Sequence, residues 1–114
     1  MDDFIKEMAQ KLPPIGSTDG QGMKAPVIVV FADDYGIGKY LITEGERLPN
    51  NDFELFGYGR LTDWEWGSIL LSDLLSTKPM GIEFKGTIYA DGTTVMDLCD
   101  EEPRHINWSE LEER

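Results

Sequence analysis

Apolar and polar positions follow two different periods along the chain, which predicts both helices and strands. Between residues 2 and 12, apolar residues recur at spacings of three to four and gather on one face, as in an amphipathic helix. These residues are Phe4, Ile5, Met8, Ala9 and Leu12. Pro13 and Pro14 follow, and we expect them to end the helix because proline cannot continue it.

Further along, segments rich in β-branched and aromatic residues predict strands. Residues 27–32 are apolar at every position, which is typical of a strand buried on both faces and placed inside a sheet. Other strands are predicted at 39–43, 53–60, 82–88 and 93–98, with an extended segment at 64–69 and loops at 16–22 and 44–52. Asp91 and Gly92 fit a hairpin turn before 93–98, and Ser72 fits the N-cap of a short helix.

The order of these segments predicts an α+β fold. Its connections are of hairpin length and show no strand–helix–strand alternation. We expect an antiparallel or mixed sheet of about five strands with helices to one side. These helices are the N-terminal amphipathic helix and a short helix near 72–77. Residues 1–98 are predicted to form one domain, and residues 99–114 an acidic tail.

Charge narrows the classes of partner. The 114 residues include 22 acidic and 10 basic side chains, for a formal net charge of −12. Direct binding to a nucleic-acid backbone or to an anionic membrane is disfavoured because basic side chains must neutralise phosphate. A basic protein partner is favoured, and solubility alone is the simpler explanation of the charge. The lone Cys99 fits a reducing compartment, and the N-terminus lacks a signal-peptide pattern, so we expect a cytoplasmic protein.

No motif for a cofactor or a metal stands out. The segment 36–39 ends in Gly-Lys but leads into a strand, whereas a phosphate loop leads into a helix. Cys99 and His105 lie among acidic residues, which disfavour a reactive thiolate. Because carboxylate pairs converge only in the folded chain, a carboxylate-dependent, metal-assisted hydrolase stays open as an alternative.

Aromatic and acidic residues supply the candidate binding positions. The aromatic candidates are Phe56, Tyr58, Trp64 and Trp66, which fit core packing or an interface anchor. The acidic candidates form three pairs spaced by two positions: Glu44/Glu46, Asp52/Glu54 and Asp63/Glu65. In an extended chain each pair projects to one side at about 6.7 Å, which is comparable with the spacing of phosphates along a nucleic-acid strand. This predicts a nucleic-acid mimic, and solvated loop and strand edges are the alternative.

The order of several short motifs resembles a bacterial family known only as domain of unknown function 2958. The resembling pieces are Lys-Leu-Pro-Pro at 11–14, Thr-Asp-Gly-Gln-Gly at 18–22, the apolar strand at 27–31, Tyr-Leu-Ile-Thr-Glu at 40–44, Asp-Phe-Glu-Leu-Phe-Gly at 52–57, the segment 67–75 with Leu-Ser-Asp-Leu, and Ile-Glu at 82–83. The resemblance covers about residues 8–90, departs from the family's aromatic-rich pattern at 35–38, and excludes the acidic tail. It implies an accessory protein of a plasmid, phage or integrated element, without an assigned activity.

Together these patterns favour a non-enzymatic protein that binds a basic partner through an acidic face with aromatic anchors. The two alternatives are a nucleic-acid mimic that inhibits a DNA-binding or defence enzyme, and the hydrolase.

Overall fold

The computed structural model describes residues 2–33, 38–60, 64–76, 84–89 and 91–99. The helices are α1 (Asp2–Lys11), α2 (Leu71–Leu75) and α3 (Val95–Cys99), with a short 3-10 helix at Gly22–Lys24. The strands are β1 (Val29–Asp33), β2 (Lys39–Arg47), β3 (Phe53–Arg60), β4 (Trp64–Leu70) and β5 (Phe84–Ile88).

The five strands form one sheet in the order β4-β3-β2-β1-β5, with antiparallel pairing throughout. The predicted α+β class with an antiparallel sheet of about five strands is therefore confirmed. The apolar segment that begins at residue 27 enters the sheet as β1, between β2 and β5, as its composition predicted.

Two hydrophobic cores lie on opposite faces of this sheet. Of the described residues, those buried in the α1-side core are Met8, Val29, Phe31, Ile42, Phe53, Leu55, Leu71, Leu74 and Phe84. Those buried in the α3-side core are Ala25, Val27, Val30, Leu41, Tyr58, Trp64, Val95, Leu98 and Cys99. The two predicted helices do lie on one side, because Met8 of α1 and Leu71 and Leu74 of α2 belong to the same core. Helix α3, which was not predicted, packs on the other face. Alternate residues of β1 and β2 are apolar on both faces, and each face needs a cover.

A close approach of aromatic rings to the sheet depends on two glycines. A Cβ at Gly59 would lie 2.3 Å from Cδ1 of Tyr40, and a Cβ at Gly86 would lie 2.2 Å from Cζ of Phe4. Both distances are far shorter than carbon atoms tolerate. Gly86 therefore lets Phe4 of α1 pack directly on β5, and Gly59 lets Tyr40 lie across β3.

Strand β2 is longer than predicted. The segment 44–52 was expected to be a loop, but β2 continues through Glu44 to Arg47. The register of β2 against β3 shifts between Ile42 and Glu44, which leaves Thr43 as the extra residue of a β-bulge. Polar side chains at 44, 46 and 47 resemble a loop composition, yet pairing with β3 keeps their backbone extended.

The predicted strand at 93–98 is also wrong, because residues 95–99 form α3. The amide of Asp97 donates to Oγ1 of Thr94 at 3.2 Å, and the amide of Thr94 donates to Oδ2 of Asp97 at 3.0 Å. This reciprocal pair is a capping box, which satisfies backbone donors at the start of a helix. A single bridge between Pro26 and Thr94 is the extended pairing seen in this segment.

Helix α2 confirms the short helix predicted near 72–77, but Ser72 is not its N-cap. The N-cap position is Leu70, whose side chain makes no capping hydrogen bond, and β4 leads directly into the helix. The carboxylate of Asp52, the residue before β3, caps the helix instead. It accepts from the Ser72 amide at 3.1 Å and from the Ser72 hydroxyl at 2.5 Å.

Several predicted features lie outside the described residues. These are the turn at 34–37, Asp63, the chain at 77–83, His105 and the acidic tail from residue 100 onward. Cys99, which was assigned to the tail, is instead the buried last residue of α3. Among the helices that the structure describes, none is long and apolar enough to cross a membrane.

Candidate interaction surface

Four aromatic side chains form a continuous row on the α3-side face of β3 and β4. Phe56 stacks on Trp66 with a centroid distance of 5.9 Å, and Trp66 meets Tyr58 at 4.9 Å. Tyr58 then stacks on Trp64 at 5.0 Å with an interplanar angle of 10°. Side chains at alternate positions of neighbouring strands share a face, so the strand register places the four rings in this row.

The row divides into a buried half and an exposed half. Tyr58 and Trp64 belong to the α3-side core and are 4% and 7% exposed. Trp66 is 39% exposed, and Phe56 beside it is half-buried. Core packing therefore accounts for the first pair, whereas the second pair presents aromatic surface to solvent.

The buried end of the row is covered by a cation of the protein itself. The guanidinium carbon of Arg60 lies 5.4 Å from the ring centroid of Trp64, within the range of a cation–π contact. The Nε1 of Trp64 is buried and has no hydrogen-bond partner among the residues that the structure describes. At the other end of the row, Phe56 and Trp66 face the loop that follows α1.

Glu44 holds that loop against the sheet. Its side chain is only 1% exposed, and its Oε1 accepts from the Gly16 amide at 2.7 Å. Its Oε2 accepts from the Thr18 amide at 2.7 Å and from the Thr18 hydroxyl. A buried carboxylate is costly unless its oxygens are satisfied, and these three donors satisfy both. Glu44 is thus engaged inside the protein rather than presented to a partner.

These hydrogen bonds also set the ionisation of Glu44. Burial raises the pKa of Glu44, but the side-chain hydrogen bond from Thr18 and the backbone hydrogen bonds from Gly16 and Thr18 outweigh it. The net result is a pKa below the ordinary value of 4.5. The group is therefore a carboxylate at neutral pH, as the three donors require.

With the loop held in place, a cavity opens between it and the exposed aromatic pair. Its volume is about 160 Å³. One wall is formed by Phe56 and Trp66 and the other by Thr18, Asp19, Gly20, Gly22 and Ala25. Asp19 is exposed at the rim, and no described residue donates a hydrogen bond to its carboxylate.

Two further carboxylates lie beside this cavity on the same sheet face. Glu46 of β2 stands directly opposite Glu54 of β3, and Glu54 is two residues before Phe56. Glu46 is exposed and accepts from the Ile15 amide at 3.2 Å, while Glu54 is half-buried. Like charges directly opposite in a sheet are destabilising. This pair therefore favours a positively charged group above it.

The remaining acidic candidates lie elsewhere. Asp52 caps α2, and the hydrogen bonds from Ser72 and Phe53 lower the pKa of Asp52 below its usual range. Glu65 lies opposite Gly59 on the α1-side face, beside Tyr40. Burial, and then the charge of Glu65, raise the pKa of Tyr40. The sequence-predicted acidic set is therefore divided between internal hydrogen bonds and two sheet faces, with Asp63 outside the described residues.

A second groove, of about 360 Å³, lies on that α1-side face between Tyr40 and Ile69. Its lining includes Gly57 and Gly59, which are buried, and Gly67, which is exposed. Within the parts of the chain that the structure describes, no three histidine, cysteine, aspartate or glutamate side chains are grouped so that they could hold a metal ion. Cys99 is buried and, as the single cysteine of the sequence, forms no disulfide within the chain.

The loop residues Asp19, Gly20 and Gly22 were missed as site residues by sequence reasoning. Their composition indicated a loop, and nothing in it showed that the loop would be fastened by Glu44, which is 26 residues after Thr18. The signal that was available was the turn-rich segment Thr-Asp-Gly-Gln-Gly itself. Such a segment specifies a turn but not its position on the sheet.

In comparisons with known proteins, the chain matches no protein-family model, no curated protein and no solved structure.

Proposed function

We propose that this protein is a non-enzymatic binding factor that holds a basic segment of a partner protein. The segment binds on the acidic–aromatic surface, which we define as Phe56 and Trp66 with Asp19, Glu46 and Glu54 around them. The observation that carries the proposal is the exposed Trp66 stacked on Phe56 beside a cavity that an exposed aspartate, Asp19, also lines.

The aromatic pair supports an anchoring role. Tryptophan and tyrosine dominate the energetics of protein interfaces because a large rigid ring loses little conformational entropy when it is covered. Trp66 is held on the sheet by stacking against Phe56 and by its contact with Tyr58. The ring is thus already oriented before a partner arrives.

The charges support a basic partner. Glu46 and Glu54 face each other across β2 and β3, and Asp19 stands at the cavity rim. The whole chain has a formal net charge of −12, which accelerates association with a positive partner and disfavours a negative one. A basic segment that lies over this surface would relieve the repulsion between the two glutamates.

The nucleic-acid mimic receives less support from the described geometry. A mimic needs several exposed carboxylates in a row on one face, whereas Glu44 and Asp52 are engaged in hydrogen bonds within the protein. Glu65 lies on the opposite face from Glu46 and Glu54. The hydrolase has no supporting cluster among the described side chains. The role in a mobile element rests on the family resemblance alone.

A peptide-binding assay tests the proposal. The probe is a fluorescent 12-residue peptide of alternating arginine or lysine with glycine or serine, and its neutral counterpart has glutamine at every basic position. Fluorescence polarisation should show binding of the basic peptide alone, weakened as sodium chloride rises from about 50 to 250 mM because salt screens exposed charges. Trp66→Ala should lower the affinity at least about tenfold, as for an interface anchor.

A matched pair of double variants separates the surface from bulk charge. Glu46→Gln with Glu54→Gln changes the net charge by two, and so does Asp3→Asn with Asp73→Asn on the two helices of the opposite face. The first variant should weaken binding by about threefold to tenfold, and the second by less than about twofold. Equal losses in the two variants, or no binding of the basic peptide, would contradict the proposal.

A further inference from the structure

The cavity beside Trp66 has a chemistry more specific than attraction to positive charge. It joins an aromatic wall, Phe56 and Trp66, to a loop wall that contains the acidic residue Asp19 and the glycines Gly20 and Gly22, which have no side chains. We propose that this cavity is an arginine pocket that takes one guanidinium group from the partner's basic segment. The inference rests on the proposed function and names the side chain that its surface selects.

The aromatic row itself points to a guanidinium. Arg60 already lies over Trp64 at the buried end, with its guanidinium carbon 5.4 Å from the ring centroid. The exposed end, at Phe56 and Trp66, has no such cation among the described residues. A planar guanidinium stacks on an aromatic face better than a compact, strongly hydrated ammonium does. An arginine from the partner would therefore complete the row in the way that Arg60 does at its other end.

The loop wall supplies the second half of the recognition. A guanidinium that rests on the ring of Trp66 directs its N–H groups sideways, and a carboxylate is the acceptor that fits this fork. Asp19 is an exposed residue of the facing wall, and its carboxylate accepts no hydrogen bond from a described residue. Because the wall at Gly20 and Gly22 carries no Cβ, the arginine stem can pass close to the backbone.

Both walls of the cavity are also held in place by contacts within the protein. The loop wall is fastened by the buried Glu44, through the amides of Gly16 and Thr18, directly before Asp19. The aromatic wall is fastened by the ring stack of β3 and β4. Both walls are thus in place without a ligand, and binding then orders only the incoming side chain.

Small probes test the pocket separately from the whole surface. The full chain, labelled with ¹⁵N, is titrated with N-acetyl-arginine amide, N-acetyl-lysine amide and the neutral isostere N-acetyl-citrulline amide. We expect saturable shifts at the amides of Gly20 and Gly22 and at the indole N–H of Trp66. Arginine amide should bind at least about threefold more tightly than lysine amide, and citrulline amide should give no saturable shift.

Variants then measure the contribution of the aromatic wall and of the loop wall to binding separately. Trp66→Ala should lower the affinity for arginine amide about tenfold, Trp66→Phe should restore most of it, and Asp19→Asn should lower it about threefold. Asp73→Asn and Leu75→Ala, an exposed acid and an exposed apolar side chain on α2, should leave it unchanged. Melting curves of each variant show whether a loss reflects unfolding, and Trp66→Phe keeps the test decisive if Trp66→Ala is unstable.

The outcomes separate this inference from the proposed function. Basic peptides that bind while arginine amide leaves Gly20 and Gly22 unshifted overturn the arginine pocket alone. Equal affinities for arginine and lysine amides overturn it as well. Saturable arginine binding without any peptide binding overturns the proposed function instead and leaves the pocket in place.

Discussion

Replacing Glu44 with glutamine should destabilise the protein out of proportion to so small a change. The two side chains have nearly the same shape, but an amide offers one oxygen where the carboxylate offers two. Both oxygens of Glu44 accept short hydrogen bonds, one from Gly16 and one from Thr18, in a site that is 1% exposed. In Glu44→Gln, the NH₂ group replaces one of these oxygens and meets a backbone N–H that has lost its acceptor. The remaining oxygen still accepts a hydrogen bond, but it no longer carries a negative charge.

The magnitude follows from the donors that lose their acceptor. A hydrogen bond to a charged group contributes about 1.5–3 kcal/mol, and a buried donor left unsatisfied costs about 1–3 kcal/mol. We expect Glu44→Gln to lower the free energy of unfolding by about 2–4 kcal/mol. At about 4 °C per kcal/mol, the melting temperature should fall by about 8–16 °C. Differential scanning calorimetry at pH 7 measures this directly.

Glu46→Gln is the matched control, two residues later on the same strand and face. Glu46 is exposed and accepts one longer hydrogen bond of 3.2 Å, so its loss should cost less than about 0.5 kcal/mol. The pH dependence gives a second check. Because the folded-state pKa of Glu44 lies below its ordinary 4.5, its stabilisation is present above that value and is lost as the pH falls through the folded pKa.

The wild-type advantage over Glu44→Gln should therefore shrink below about pH 4.5. Melting temperatures of the Glu44 and Glu46 variants within about 2 °C of each other at pH 7 would refute the assignment of Glu44 as the fastening of the loop.

Three further predictions concern stability. Asp97→Ala should lower the free energy of unfolding by about 0.5–2 kcal/mol in urea titrations. The double variant with Thr94→Ala should lose much less than the sum of the two single losses, because the two side chains form one reciprocal capping box. Gly59→Ala should lower the free energy of unfolding by about 1–3 kcal/mol, because its Cβ would press on the ring of Tyr40. Gly67→Ala is the control, because a Cβ there meets no atom within 4 Å, and it should be neutral or stabilising. Equal effects of the two substitutions would refute the close packing of Tyr40 on Gly59. Asp52→Asn should lower the melting temperature at pH 7, and the difference should vanish as the pH falls through the lowered pKa of Asp52, since only the ionised form caps α2 well.

Sequence periodicity predicted the elements that are determined by residues close together in the chain. Helix α1 and strand β3 match their predicted ranges closely because a 3.6-residue or two-residue period shows in the residues themselves. Helix α3 had a local signal too, the Thr-x-x-Asp capping box at residues 94–97, but the hairpin turn at 91–92 favoured a returning strand. Two short-range signals competed there, and the capping box prevailed.

The site depended on contacts that the sequence pattern does not show. Glu44 has a charged side chain in a polar segment, and its burial requires donors 26 and 28 residues earlier in the chain. The four aromatic candidates lie together as one row of contacting rings. Which of them are core and which are surface depends on tertiary packing: Tyr58 and Trp64 are buried in the core to which α3 contributes, whereas Trp66 is exposed.

Because the sheet has a core on each face, its central and edge strands should differ in how readily they unfold. Adjacent residues of β1, Val29 and Val30, belong to different cores, so the amides of β1 and β2 are sealed from both faces. Their hydrogen exchange should report complete unfolding and be the slowest in the chain. Strand β4, at the edge of the sheet, carries Trp66 and is exposed along most of its length. Its amides should exchange through local openings, while the centre of the sheet, which is covered on both faces, stays closed.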